Sequence, residues 1–169
     1  MGHCRKPCGP AIFGGNLGTP APTQGMTDLL ISEALDARDR DDCYAVRTAV
    51  FCREQGVPAE LEFDGLDETC RHYLARIGDR AVGTARLRPL GGGEAKFERV
   101  AVLKDHRGRG IGWALMERAL ADARIDGHKR ALLHAQTHAG EFYRRLGFRQ
   151  EGDGFMEAGI PHMRMSMDL

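Results

Sequence analysis

The 169-residue sequence has no charge surplus: 24 Lys plus Arg stand against 24 Asp plus Glu. That balance removes the overall field that would gather nucleic acid or an anionic membrane surface. No apolar run approaches the length of a bilayer span. None is preceded by a basic start and followed by the small-residue cleavage site of a signal peptide. The expected location is the cytoplasm. Cys-x-x-Cys pairs are missing as well, and Cys4, Cys8, Cys43, Cys52 and Cys70 are an odd number. This argues against a disulfide framework and against a zinc ribbon, and leaves free thiols. The Gly-x-x-x-x-Gly-Lys string of a P-loop is absent. Gly108, Gly110 and Gly112 do not keep the dinucleotide-binding spacing either.

What is present fits one globular domain, with 42% hydrophobic residues and length enough for a real core. Residues 1–25, rich in Gly and Pro without an apolar period, read as a flexible leader, not necessarily native to the domain. Met26 is then a candidate start, and residues 26–169 form the domain. His3 with Cys4 and Cys8 lacks the fourth ligand of a structural metal site, and no metal is expected. From there "TDLLISEAL" reads as a strand. "DARDRDDCYAVRTAVFCREQG" reads as a helix with Cys43, Val46, Val50 and Phe51 at three- and four-residue steps. Two strand-like runs around "GDR" make a hairpin, "GGGEAKFERVAV" supplies a turn and a fourth strand, and "GIGWALMERALADARIDG" is an amphipathic helix stopped by Gly127. "KRALLHAQ" is a fifth strand, "THAGEFYRRLG" a short helix and residues 148–169 a closing hairpin. The order β, α, β, β, β, α, β, α, β, β is that of a mixed α/β sheet with helices on its faces.

The stretch "ERVAVLKDHRGRGIGWALMERAL" runs from a strand through three glycines into a helix. Orphan N–H groups and the positive end of the helix dipole converge there, a place for a phosphate. Glycine lets the anion approach the amides and tolerates positive φ. Arg107 and Arg109 add charge at the rim.

"RVAVLKDHRGRGIGWALME" resembles the signature of the GCN5-related N-acetyltransferases, and "FYRRLGF" resembles the second hallmark of that superfamily. "VFCREQGVP" and "GIPHMRM" are similar to its bacterial YjcF-like subgroup. The likeness covers about residues 27–168. It implies a sheet of about seven strands flanked by about four helices, with the fourth and fifth strands splayed apart and acetyl-CoA lying in the gap as cosubstrate. The pantetheine arm would then pair with the backbone of Val100, Ala101 and Val102, as an added strand does. The pyrophosphate would meet the amides of Arg107, Gly108, Arg109, Gly110, Ile111 and Gly112.

The activity so implied is transfer of an acetyl group to a primary amine of a small molecule, directly in a ternary complex. A module that binds an acyl-CoA without turning it over is the alternative. Tyr143 is the candidate acid for the departing thiolate and also a cofactor contact; its other reading is a core residue beside Phe142 and Phe148. Glu98 shares strand parity with Val100 and Val102, which makes it a candidate base, or else the partner of a neighbouring charge. Glu54, Asp64, His72 and His162 are further base candidates. "HAQTH" has Gln136 where a metalloprotease helix needs Glu, so His134 and His138 read as strand and helix-start residues. The acids Glu60, Glu62, Asp64, Asp67 and Glu68 suggest a cationic acceptor. Homodimerisation stays open, and neither nucleic acid nor membrane is expected as a partner.

Overall fold

The structure, a computed structural model, describes residues 28–169. The leader read over residues 1–25, with Met26 and the His3, Cys4, Cys8 group, lies outside the described residues. Strand β1 (Leu29–Glu33) leads to α1 (Ala37–Arg47). Asp36 caps α1 by accepting a hydrogen bond from the Asp39 N–H at 2.8 Å.

The sequence predicts one helix over residues 36–56, but the chain widens after Arg47 into a π-helical stretch, Thr48–Glu54. Its end is marked by the Gln55 N–H donating to the Val50 carbonyl, five residues back, at 3.1 Å. Wide turns of this kind commonly sit at functional sites because they re-aim side chains. Here the turn carries Phe51, Glu54 and Gln55 onto the wall of a cavity. The next segment contains the single turn α2 (Ala59–Glu62), to which the sequence reading assigned no element. Four residues are too few for an apolar period to register.

The remaining elements follow the expected order: β2 (Arg71–Ile77), β3 (Arg80–Pro89), β4 (Glu94–Val102), α3 (Ile111–Ile125), β5 (Arg130–Gln136), α4 (Gly140–Arg145), β6 (Arg149–Glu157) and β7 (Ile160–Asp168). The seven strands lie in the order β1-β2-β3-β4-β5-β7-β6. β4 and β5 run parallel; the other neighbours run antiparallel. Helix α3 lays Ile111, Leu115, Met116, Ala119 and Ala123 on one face of the sheet against Leu87, Phe97 and Leu133. Helix α1 covers part of the other face through Cys43 on Leu74 and Val46 on Ala101. The alternating Met163 and Met165 are core residues, as their spacing suggests.

Two irregularities of β4 shape everything that follows. Its parallel pairing with β5 runs from Glu94 opposite Arg130 to Phe97 opposite Leu133 and then stops, so the two strands part. On the other side, Ala101 pairs with Thr84 and Glu98 with Arg86. Three steps along β4 therefore match two along β3, a bulge absorbed at Arg99, whose φ is +54°. A non-glycine residue in that region is strained, and the strain persists only where surroundings hold it. The Arg99 guanidinium is held by the Glu62 carbonyl at 2.9 Å and by the Glu62 carboxylate at 2.9 Å.

Candidate active site

Gly108 and Gly110 have φ of +74° and +78°, and a Cβ built at either would meet nothing within 4 Å. The backbone here is open to the approach of a ligand. Helix α3 begins at Gly110 without a side-chain cap. The first main-chain bond of this turn runs from the Ala114 N–H to the Gly110 carbonyl at 2.9 Å. The N–H groups of residues 111–113 precede it and have no intrahelical acceptor. Ile111 offers only that N–H, since its side chain is buried against the sheet. Gly112 plays a smaller part than its neighbours. A Cβ there would make ordinary contact with Phe142 and Val102 at 3.7 and 3.8 Å.

The two arginines of the turn behave differently. Arg109 is exposed and makes no ion pair among the described residues. Arg107 turns away from the rim: its Nε donates to the Val102 carbonyl at 2.9 Å and its two terminal nitrogens to Glu54 at 2.7 and 2.8 Å. It ties the end of β4 to the π-helical turn, and its bonds hold the Glu54 carboxyl below the usual range.

A cavity of about 680 Å³ opens where β4 and β5 part. Val100, Ala101 and Val102 line it, with Tyr143 from α4 and His134 and Gln136 from β5. From Glu98 onward the edge of β4 that faces the cavity has no strand partner, so its backbone groups are free to pair with amides of a ligand. Tyr143 packs edge-on against Phe142 and Phe148, at 4.9 and 6.0 Å between ring centres. Its hydroxyl makes no hydrogen bond to another described residue. Burial pushes the phenol up from its ordinary value, so it stays protonated at neutral pH.

The parity expectation for Glu98 fails because of the bulge at Arg99. With one extra residue in β4, Glu98 shares a face with Ala101, while Val100 and Val102 pack on the core beside α3. Its carboxylate meets Arg86 at 2.8 Å, Lys96 at 3.0 Å and Arg88 at 3.2 Å. Burial alone would raise its pKa, but the bonds from Arg88 and Lys96 and the charges of Lys96 and Arg86 outweigh it and hold the carboxyl at about 2. So weak a base, already bonded on both oxygens, is a poor proton acceptor. Glu98 is instead an anchor of the sheet.

That anchoring has a sign in pH. Ionised Glu98 stabilises the folded state fully above about pH 4.5, its ordinary value, and this contribution is lost as pH falls from there towards 2. Urea midpoints should drop across that window and drop less steeply in Glu98→Gln, which removes one titrating group. Equal slopes in the two proteins would show that Glu98 does not supply acid sensitivity.

The acidic segment 60–68 is also committed internally. Arg47, fully buried, is bound by Glu62 and Asp67, both at 2.6 Å. Arg86, equally buried, is bound by Asp64 at 2.7 Å and Asp67 at 2.8 Å. These acids neutralise buried arginines, as paired charges in an interior must be. Only Glu60 and Glu68 of the five remain without such partners among the described residues, so the expected lure for a cationic acceptor is not formed. Asp64 and His72, considered as bases, belong to the same network, with His72 bonded to the Asp67 carbonyl at 3.0 Å.

Three pairings at the cavity had no signal in the sequence. Arg107 meets Glu54 across 53 positions, and Gln55 meets Gln136 across 81 through reciprocal amide bonds of 3.4 and 2.9 Å. His134 meets Glu157, Nδ1 to Oε2, at 2.9 Å. Each joins residues that only the folded chain brings together.

Parted parallel strands, a glycine-opened helix start and a cavity beside both define an acyl-CoA-dependent transferase fold. Residues 24–169 match the sequence profile of the acetyltransferase (GNAT) domain, and the chain belongs to that family. It is 41% identical over 131 residues to the N-acetyltransferase YjcF of Bacillus subtilis, itself uncharacterised, with 75% of this chain and 91% of that one aligned. An acyl-CoA N-acyltransferase from Pseudomonas aeruginosa superposes with a TM-score of 0.74 at 31% identity, over 82% of this chain and 98% of that one. ElaA of Escherichia coli superposes with a TM-score of 0.74 at 28% identity, over the same shares. The expected fold and family are thus both present.

Proposed function

We propose that the protein is a cytoplasmic N-acetyltransferase that moves an acetyl group from acetyl-CoA to the primary amine of a small molecule, directly, in a ternary complex. The observation that carries this reading is the free edge of β4, which opens at Glu98 and runs straight to the exposed amides around Gly108 and Gly110. An extended amide-bearing arm with a pyrophosphate at one end fits that path.

Acetyl-CoA supplies an activated acyl group and a thiol that leaves. The backbone of Val100, Ala101 and Val102 holds the arm and offers an N–H where charge gathers on the carbonyl oxygen. The amides of residues 107–112, with Arg109, hold the pyrophosphate. Arg107 keeps the mouth of the cleft in shape through Glu54. Tyr143 reaches the cavity protonated and gives its proton to the sulfur as it departs. The acceptor enters from the face of the sheet beyond α1, where the π-helical turn and the β6–β7 hairpin wall the cavity.

Coenzyme A release from acetyl-CoA, measured against a panel of polyamines, aminosugars, amino acids and aromatic amines, tests the reading. Turnover with at least one amine is expected. Tight binding of acetyl-CoA with no turnover on any of them would favour the alternative, a non-catalytic acyl-CoA-binding module.

A further inference from the structure

Four carboxylates and three imidazoles line the cavity, and their partners decide which can accept a proton. Glu54 is clamped by Arg107. Glu62 lies 2.6 Å from Arg47 and 2.9 Å from Arg99. Glu98 is bound by three cations. Among the imidazoles, His162 bonds through Nδ1 to the Ile160 carbonyl at 2.8 Å, and His138 has no carboxylate partner among the described residues.

His134 differs from all of these. It sits on β5 just past the point where β4 departs, on the face opposite Leu133 and Ala135, which are in the core. Its Nδ1 lies 2.9 Å from the Glu157 carboxylate. A carboxylate accepts only from N–H, so the bond places the proton of the neutral ring on Nδ1 and leaves the Nε2 lone pair free. Phe155 stands edge-on at 4.9 Å and holds the ring plane.

We propose that His134, backed by Glu157, is the general base that takes the proton of the incoming ammonium. This rests on the acyl-transfer reading above and names a residue for its open step. Nε2 forms an N–H bond with one proton of the ammonium, and Glu157 stabilises the resulting imidazolium. The freed nitrogen forms its C–N bond to the acyl carbon while the C–S bond to coenzyme A breaks. The nitrogen's second proton passes to the Tyr143 phenolate as the amide forms, replacing the proton that Tyr143 gave to the sulfur. His134 then returns the first proton to solvent. His134 is the catalytic residue here, and Glu157, acting through it, is a positioning residue.

The charged groups around the ring are few. Glu157 faces it from β6. From β7 come its cross-strand partner Arg164, whose Nε lies 3.3 Å from Glu151, and His162, stacked with Phe155. The Lys96–Glu98 and Arg107–Glu54 pairs line other parts of the wall and are each internally neutralised.

The test is kcat/KM with acetyl-CoA and the best amine of the panel, from about pH 6 to about pH 10, for wild type, His134→Gln and Glu157→Gln. Coenzyme A titration and thermal melting check that each variant is folded. His134→Gln is expected to lose about tenfold or more near neutrality, with the defect closing at high pH as the amine deprotonates unaided. Glu157→Gln, which strips the imidazolium of its anion, should lower kcat near neutrality by less than His134→Gln does, with KM and coenzyme A affinity unchanged. A defect of equal size at every pH in both variants, or none in either, overturns the assignment. If wild type binds acetyl-CoA yet turns over no amine, the transferase reading fails and the base falls with it. If wild type turns over and His134→Gln keeps its profile, the base alone fails.

Discussion

Tyr143→Phe should bind acetyl-CoA as wild type does, while kcat falls on the order of a hundredfold or more, the usual scale for a positioned acid. The substitution keeps the ring, and so keeps the edge-on contacts with Phe142 and Phe148 that fix its place. It removes a hydroxyl that no described residue shares and that burial keeps protonated. A purely packing role predicts the opposite pattern, with turnover retained. Water can substitute for a missing acid, so the comparison should be repeated with a thioester whose thiol leaves more easily. An acid makes the defect shrink with that substrate; a defect of the same size for both assigns the loss to something other than proton donation.

Gly110→Glu should abolish measurable coenzyme A binding by calorimetric titration. It places bulk and negative charge where the amides of residues 111–113 and the dipole of α3 favour an anion. The space is open at the first carbon, since a Cβ at Gly110 meets nothing within 4 Å. The left-handed backbone is the complication, since φ of +78° costs an L residue about 1–2 kcal/mol. Gly110→Ala carries the same backbone strain without the charge and separates the two effects. The cradle assignment predicts that Ala binds far better than Glu at this position. Equal affinity of folded Gly110→Glu and wild type would place the pyrophosphate elsewhere.

Short apolar runs bounded by turn residues located the strands, several of them buried on both faces, and one-sided periodicity located the longer helices. Leu115, Met116, Ala119 and Ala123 of α3, and Met163 and Met165 of β7, advertise their buried faces in their spacing. The glycine turn was legible for another reason: positive φ at Gly108 and Gly110 favours glycine, so a backbone preference leaves a mark in composition. The bulge at Arg99 left no such mark. A strained arginine looks like any other in sequence, and the bulge turned the parity of Glu98 against the expectation. The widening of the first helix after Arg47 was equally silent, since π- and α-helical turns use the same residue types.

The acidic segment shows the same limit from the side of charge. Glu62, Asp64 and Asp67 read as a solvated or ligand-facing run until Arg47 and Arg86 are found buried beneath them. A charge's role depends on its partner, and the partners come from distant elements. Sequence alone supplied the order of the strands and longer helices, the glycine turn before α3, the Tyr143 candidate and the family likeness, because local backbone needs and apolar runs are written residue by residue. The tertiary structure decided that Glu98 anchors the sheet, that Arg107 clasps Glu54, and that His134 stands before Glu157 at the cavity. Those outcomes depend on register, on a single extra residue in β4, and on strands brought together across the sheet, none of which a linear pattern contains.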